Sequence, residues 1–100
     1  MERRYPKELL RELRNKIPVA WLIAGVLDVP VKLSEGYLRF LCPSCREFNT
    51  ATHRTTNLAR CFRCQRNFNT IDLVMITRSL NFVDAVEFLL GLRPADEAER

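Results

Sequence analysis

Four cysteines, arranged as two pairs of the form Cys-x-x-Cys, are the residues of this sequence whose spacing indicates chemistry. The pairs are Cys42 with Cys45 and Cys61 with Cys64, and fifteen residues separate them. This spacing is typical of structural zinc sites, in which two such pairs complete a tetrahedron of thiolates around one ion. Because four protein ligands leave no position open for water or substrate, we predict one structural Zn²⁺ ion and no catalytic metal.

Three other uses of the cysteines compete with zinc. Two disulfides require an oxidising compartment, and we expect none because the first residues do not form a secretory signal. A thioredoxin-like redox pair is disfavoured because neither pair leads directly into a helix after a buried strand. Rubredoxin-type iron binding stays open, although glycine usually follows the second cysteine of such knuckles. Arg46 and Gln65 occupy those positions here.

Positive charge is concentrated around the cysteines. The chain has a formal net charge of +4, and six arginines but only one acid, Glu47, fall between residues 39 and 66. Such a cluster can offset the negative charge of a tetrathiolate site, or it can bind an anionic partner. We expect the only histidine, His53, at the surface, since the cysteines already complete the tetrahedron.

Short helices and strands must position these residues. Apolar residues recur at helical spacing after Pro6 and again after Pro18, which predicts two N-terminal helices. Alternating or β-branched runs then predict strands over Val31–Leu33, Tyr37–Leu41, Thr50–Thr56 and Leu58–Cys61. Two C-terminal helices follow, Ile71–Arg78 with Thr70 as its N-cap and Phe82–Leu90, capped by Asn81 and ended by Gly91.

These elements predict an α+β fold, a zinc ribbon of short antiparallel strands flanked by N-terminal and C-terminal helices. We assign it to residues 1–92, followed by a polar tail over residues 93–100. A chain of 100 residues with 47% hydrophobic residues forms one domain whose core alone gives marginal stability, so a stabilising metal is expected. No run of 18 apolar residues occurs, which predicts no membrane span and a cytoplasmic protein, nucleoid-associated or encoded by a mobile element.

Further motifs lie in a fixed order around the cysteines. They are Val31-Lys32-Leu33, Cys42-Pro43, Cys61-Phe62-x-Cys64, Asn69–Met75 and Phe82–Leu89. From Pro6 to Leu92 the sequence therefore resembles the CHC2-type zinc-binding domain found at the N-terminus of bacterial and phage DnaG-type DNA primases. The second metal ligand of that family is histidine, where this chain has Cys45, and the family's Thr-Pro-Ser-Phe stretch is replaced by Asn49–His53.

The resemblance implies a module that recognises single-stranded template DNA in replication. It implies partners in trans, either a primase RNA-polymerase domain or a replicative helicase, and no enzymatic activity of this chain alone, which has no Asp-x-Asp motif. Single strands bind basic grooves that carry aromatic faces. The candidate DNA-binding residues are Tyr37, Arg39, His53, Arg54, Arg60, Phe62, Arg63 and Arg66.

Two alternatives remain for the function. The chain could instead be a zinc ribbon that docks on a polymerase or helicase protein, or a rubredoxin-like electron carrier. For Phe62 we favour packing inside its knuckle over base stacking. We expect Phe40, Phe48 and Phe68 to lie in the core or to anchor loops.

Overall fold

A computed structural model describes residues 5–92, with only the backbone described at Tyr37. The helices are α1 (Lys7–Asn15), α2 (Val19–Trp21), α3 (Thr70–Arg78) and α4 (Phe82–Leu92), and the strands are β1 (Val31–Ser34), β2 (Tyr37–Phe40), β3 (Thr50–His53), β4 (Leu58–Cys61) and β5 (Arg66–Phe68). The α2 helix continues as a π-helical turn over Leu22–Val26. The predicted α+β fold with helices at both ends of the chain is confirmed.

The strands form two antiparallel sheets. Strands β1 and β2 make a hairpin, and β3, β4 and β5 make a three-stranded sheet with β4 in the centre. In this second sheet Ala51 pairs with Arg60, and Arg60 pairs with Asn67, so the three residues form one row across the strands. Since side chains alternate between the faces of a sheet, this row and Cys61 lie on opposite faces.

The two sheets are joined by the side chain of Thr50. Its buried hydroxyl accepts a hydrogen bond from the Phe40 N–H at 2.8 Å and donates one to the Phe40 carbonyl oxygen at 2.6 Å. The guanidinium of Arg39 also donates to the Thr50 carbonyl oxygen at 2.8 Å. The threonine side chain thereby takes the place of a ladder between β2 and β3.

The core lies between the N-terminal helices, the inner face of the three-stranded sheet and the C-terminal helices. The predicted stripe of the second helix is mostly buried, with Leu22 and Ile23 at 0% exposure. From the other side Val74 and Leu89 are equally buried. Within residues 5–92, no helix is long and apolar enough to cross a membrane.

The structure corrects three local predictions. The N-cap of α3 is Asn69, which forms a capping box with Asp72, whereas the Thr70 hydroxyl donates to the Leu13 carbonyl oxygen of α1. Helix α4 continues through Gly91 to Leu92. Strand β5 has no counterpart among the predicted elements.

The predicted cap of α4 is confirmed, since Asn81 accepts from the Asp84 N–H. The predicted tail, residues 93–100, lies outside the described residues, and the assignment of a domain to residues 1–92 stays a prediction.

Asn57, in the turn between β3 and β4, joins this turn to the N-terminal helices. Its Nδ2 donates to the carbonyl oxygens of Arg14 and Ile17 at 2.6 and 2.8 Å, and its Oδ1 accepts from the Val19 N–H at 3.0 Å. Pro18 interrupts the helix here, so these backbone groups have no helical partner. One buried amide therefore satisfies both the end of α1 and the start of α2.

Candidate metal centre and the adjoining sheet face

The four cysteine sulfurs converge at one point between the two sheets. All four Sγ atoms lie within 4.8 Å of one another, with Cys42 and Cys64 at 3.9 Å and Cys45 and Cys61 at 3.6 Å. A tetrahedral ion with metal–sulfur bonds of about 2.3 Å separates its sulfurs by about 3.8 Å. These cysteines could therefore hold one metal ion. An iron–sulfur cluster places bridging sulfides between its ligands and needs a wider spacing.

The two Cys-x-x-Cys segments fold as knuckles in which a backbone N–H donates to the first sulfur. In the first, the Ser44 N–H donates to the Cys42 sulfur at 3.4 Å, and in the second the Cys64 N–H donates to the Cys61 sulfur at 3.3 Å. The first cysteine of each pair is fully buried and the second is half-buried. Backbone N–H groups directed at sulfur stabilise thiolates, which are the form that binds metal.

The environment shifts the pKa values of the cysteines in opposite directions. Burial opposes ionisation of Cys61, but hydrogen bonds from the Cys64 N–H and the neighbouring thiols outweigh it, and the pKa of Cys61 falls to about 7. Burial, with smaller effects from the neighbouring thiols, raises the pKa of Cys45 to about 12. The pKa of Cys64 is also raised, chiefly by burial. Four sulfurs this close cannot all ionise without a cation between them.

Each knuckle ends in a residue with left-handed backbone. The φ angle is 62° at Arg46 and 56° at Gln65, the positions at which rubredoxin-type knuckles usually have glycine. The absence of glycine therefore does not separate these knuckles from the rubredoxin type, because the backbone adopts the conformation that glycine favours. Arg46 and Gln65 are therefore compatible with iron as well as with zinc.

Replacing Gln65 with glycine is expected to stabilise the protein. The left-handed conformation costs a residue with a Cβ about 1–2 kcal/mol, and the greater flexibility of glycine in the unfolded chain offsets part of the gain. We expect Gln65→Gly to raise the free energy of unfolding by about 0.5–1 kcal/mol, measured by urea titration of metal-loaded protein. Arg63→Gly is the matched control, since its φ angle is not positive and the change should destabilise. Equal destabilisation by both changes would contradict the assignment of strain.

A cavity of about 490 Å³ opens on the outer face of the three-stranded sheet, opposite Cys61. Four of the predicted DNA-binding residues line it, namely Arg39, His53, Arg60 and Phe62. The guanidinium of Arg60 lies 5.6 Å from the centre of the Phe62 ring and also donates to the Asn67 Oδ1 at 3.2 Å. The structure thus brings half of the predicted set to one concave surface.

The other predicted residues lie elsewhere on the ribbon. Arg54 is exposed in the turn between β3 and β4, and Arg63 is exposed in the second knuckle. Arg66 pairs with Cys61 and shares its face of the sheet, where its guanidinium lies 4.8 Å from the centre of the Phe68 ring. Tyr37 is in β2, and its side chain lies outside the described part of the structure.

The aromatic residues differ in their outcomes. Phe40 and Phe68 are fully buried, as predicted, and Phe48 is half-buried with the Lys32 Nζ 4.9 Å from its ring centre. The prediction that Phe62 packs inside its knuckle is wrong, because 51% of its surface is exposed. Its position after Cys61 alternates to the outer face of the sheet, so its ring flanks the cavity. His53 is exposed, as predicted.

Asn67 was not among the predicted site residues, although it lines the same cavity. It belongs to β5, and only the register of β5 against β4 places it beside Arg60. A three-residue strand carries no periodic signal of its own. Its pairing with a central strand can be recognised only from the fold.

Fold and site together define the class of this chain. It is a small α+β domain in which four cysteines on two knuckles could bind a metal ion. No family model matches the chain, and a search of curated proteins finds no match.

Proposed function

We propose that the protein is a zinc-dependent module that binds single-stranded DNA, with template recognition of the DNA primase type as its role in replication. The observation that carries this proposal is the cavity on the outer sheet face, which combines an exposed aromatic ring with arginines. Sheet faces of this kind bind single strands by stacking bases on aromatic rings while cations contact the phosphates.

Zinc is the proposed metal because four cysteine thiolates at tetrahedral spacing suit it. Rubredoxin-type iron fits the same sulfur spacing. Metal analysis of purified protein, together with its colour, separates the two, since a ferric tetrathiolate is red and a zinc site is colourless. In this proposal the ion supports the fold and the sheet face makes the contacts to DNA.

The primase role goes beyond DNA binding and rests on the sequence resemblance, which runs from the N-terminal helices to α4. The proposed division of labour gives template choice to this chain and RNA synthesis to a separate polymerase domain in trans. The order of the motifs supports this role.

Binding to single-stranded DNA is expected to weaken steeply with salt. If about four arginines contact phosphates, the logarithm of the association constant should fall against the logarithm of salt concentration with a slope of about −3. Arg54→Ala and Arg63→Ala should each make that slope shallower by about 0.7. Fluorescence anisotropy with a labelled oligonucleotide at several salt concentrations measures this. Arg39 is unsuited to the test because it also holds the Thr50 carbonyl oxygen.

The matched control is Arg11→Ala, which removes the same charge from an exposed position on α1. It should leave the slope unchanged, because α1 lies outside the three-stranded sheet. A slope near zero, or an equal change in slope from Arg11→Ala, would contradict the proposal and assign the arginines to charge compensation at the metal centre. Duplex DNA of the same length tests the preference for single strands.

Docking on a protein is the second candidate function, and the β1–β2 hairpin favours it. Leu33 is 76% exposed and Val31 is 37% exposed, both on the outer strand of the smaller sheet. Exposed apolar side chains on an edge strand are typical of surfaces that pair with another chain. A protein that bound a replicative polymerase or helicase but no DNA would support this candidate over the first.

A further inference from the structure

The polar groups of the sheet-face cavity are unevenly divided between donors and acceptors. Arg60 donates one hydrogen bond to the Asn67 Oδ1 at 3.2 Å. This contact fixes the orientation of the Asn67 amide, whose oxygen faces the guanidinium. The Asn67 Nδ2 group and the remaining N–H groups of Arg60 are donors that can bind a ligand, whereas the Asn67 Oδ1, which already accepts from Arg60, has one further lone pair.

His53 adds a further donor to the same cavity. Its Nδ1 accepts a hydrogen bond from the Thr56 N–H at 3.3 Å, and the Thr56 hydroxyl lies 3.2 Å from the same atom. A backbone N–H can only donate, so Nδ1 is the acceptor and the proton of the neutral ring is on Nε2. His53 thus offers an N–H to a ligand in the cavity.

Acceptors are scarce on this surface. No aspartate or glutamate is among the described residues that line the cavity. The hydroxyls of Thr52 and Thr56 can each donate or accept, and the remaining lining includes the apolar side chains of Ala51 and Leu58. A ligand that fits this surface must therefore be flat enough for the Phe62 ring, and its edge must carry acceptors.

Nucleobases divide into two groups by this criterion. Guanine and thymine present carbonyl oxygens at O6 and O4, whereas adenine and cytosine present amino groups at the equivalent positions. An amino group facing Arg60, Asn67 or His53 brings donor against donor and leaves both unpaired. A carbonyl oxygen at the same position accepts from them, and guanine also offers N7 to a guanidinium.

We propose that this cavity binds one unstacked keto base, guanine or thymine, of a single-stranded DNA, stacked on the face of the Phe62 ring that Arg60 does not cover. The inference rests on the proposed function, since it names the part of the strand that the sheet face selects. The size of the cavity, about 490 Å³, lies within the range of sites that enclose small ligands, about 300–1,000 Å³. Its donor-rich lining favours bases with a carbonyl oxygen over bases with an amino group.

The sharpest test compares oligodeoxyuridine with oligodeoxycytidine of equal length. The two bases have the same ring size, and at C4 uracil has a carbonyl oxygen where cytosine has an amino group. At N3 uracil has an N–H where cytosine has a lone pair. By fluorescence anisotropy with metal-loaded protein, the uracil strand should bind roughly tenfold tighter, the discrimination expected of one well-placed base contact. The salt dependence should be equal for both strands, because their phosphates are identical.

A substitution in the cavity should remove this preference. Asn67→Asp replaces the donor amide with a carboxylate beside Arg60, and we expect the ratio of affinities for the two strands to fall to about one. The matched control is Asn49→Asp, an exposed position with the same change of charge that does not line the cavity, and it should keep the preference. His53→Ala, also exposed, provides a second variant that should lower the ratio without affecting the fold.

The outcomes separate this inference from the proposed function. Equal binding of both strands with a salt slope near −3 would overturn the selection of keto bases and leave single-strand binding intact. Tighter binding of the cytosine strand would overturn it in the same way. A protein that binds neither strand would overturn both. A preference that survives in Asn67→Asp and in His53→Ala would assign the selection to another surface and would also overturn the inference.

Discussion

Protein from which a chelator has removed the metal is expected to lose its β-sheet circular dichroism and its resistance to proteases. Cys42 and Cys61 are fully buried where the two sheets meet, and they hold both knuckles in place. A structural zinc ion contributes roughly 10–16 kcal/mol in small zinc domains, which equals or exceeds the usual total stability of about 5–15 kcal/mol. Removing it should therefore unfold the domain, and adding zinc back should restore it.

The variant that isolates this effect is Cys64→Ser. Because Cys64 is half-buried, its replacement does not leave a hydroxyl group sealed in the core, as it would at Cys42 or Cys61. We expect insoluble or metal-free product. Ser44→Ala is the control, since it lies in the other knuckle and only its backbone N–H contacts a sulfur. A Cys64→Ser protein that is well folded and free of metal would contradict a structural role for the ion.

Loss of the Asn57 side chain is expected to be strongly destabilising, although Asn57 lies outside the candidate metal centre. Asn57→Ala removes the partners of three backbone groups, the Val19 N–H and the carbonyl oxygens of Arg14 and Ile17. An unsatisfied buried group costs about 1–3 kcal/mol. We therefore expect the free energy of unfolding to fall by about 3 kcal/mol or more, measured by urea titration of metal-loaded protein.

Backbone strain must be separated from the loss of hydrogen bonds in this experiment. The φ angle of Asn57 is 54°, which disfavours alanine and suits glycine. Asn57→Gly should therefore recover part of the loss and remain destabilised by the missing amide. Asn15→Ala, an exposed change of the same type at the end of α1, should have little effect. A loss under 1 kcal/mol in Asn57→Gly would contradict the bridging role.

Features encoded by neighbouring residues were predictable from the sequence. The bounds of β4, Leu58–Cys61, are the predicted ones, because a strand that ends in a knuckle is delimited by its cysteine. The N-terminal helices follow from apolar spacing and from two prolines that interrupt it. The convergence of the four sulfurs follows from the spacing of the cysteines, because each Cys-x-x-Cys segment can direct both of its thiolates at one ion.

Features that depend on distant contacts were not predictable. Asn57 resembles any turn asparagine until the turn meets a helix break some 40 residues earlier in the chain. Thr70 is a good N-cap by type, but its hydroxyl bonds to α1, and the neighbouring Asn69 caps the helix instead. Strand β5 and Asn67 depend on pairing with β4. In each case the role of the polar side chain depends on a contact with another element, which the neighbouring sequence does not reveal.

The threonine bridge between the sheets has a consequence for the cooperativity of the fold. A continuous ladder transmits strand separation from one pair of residues to the next, whereas Phe40 is bonded to a single side chain of β3. The first three residues of β1 are exposed, whereas Phe40 of β2 is fully buried, so only β1 and the turn end of the hairpin can separate without uncovering much apolar surface. Sub-global opening of this kind requires less free energy than global unfolding. We therefore expect β1 and the turn end of the hairpin to open and close as their own unit while Phe40 and the cysteine knuckles stay in place.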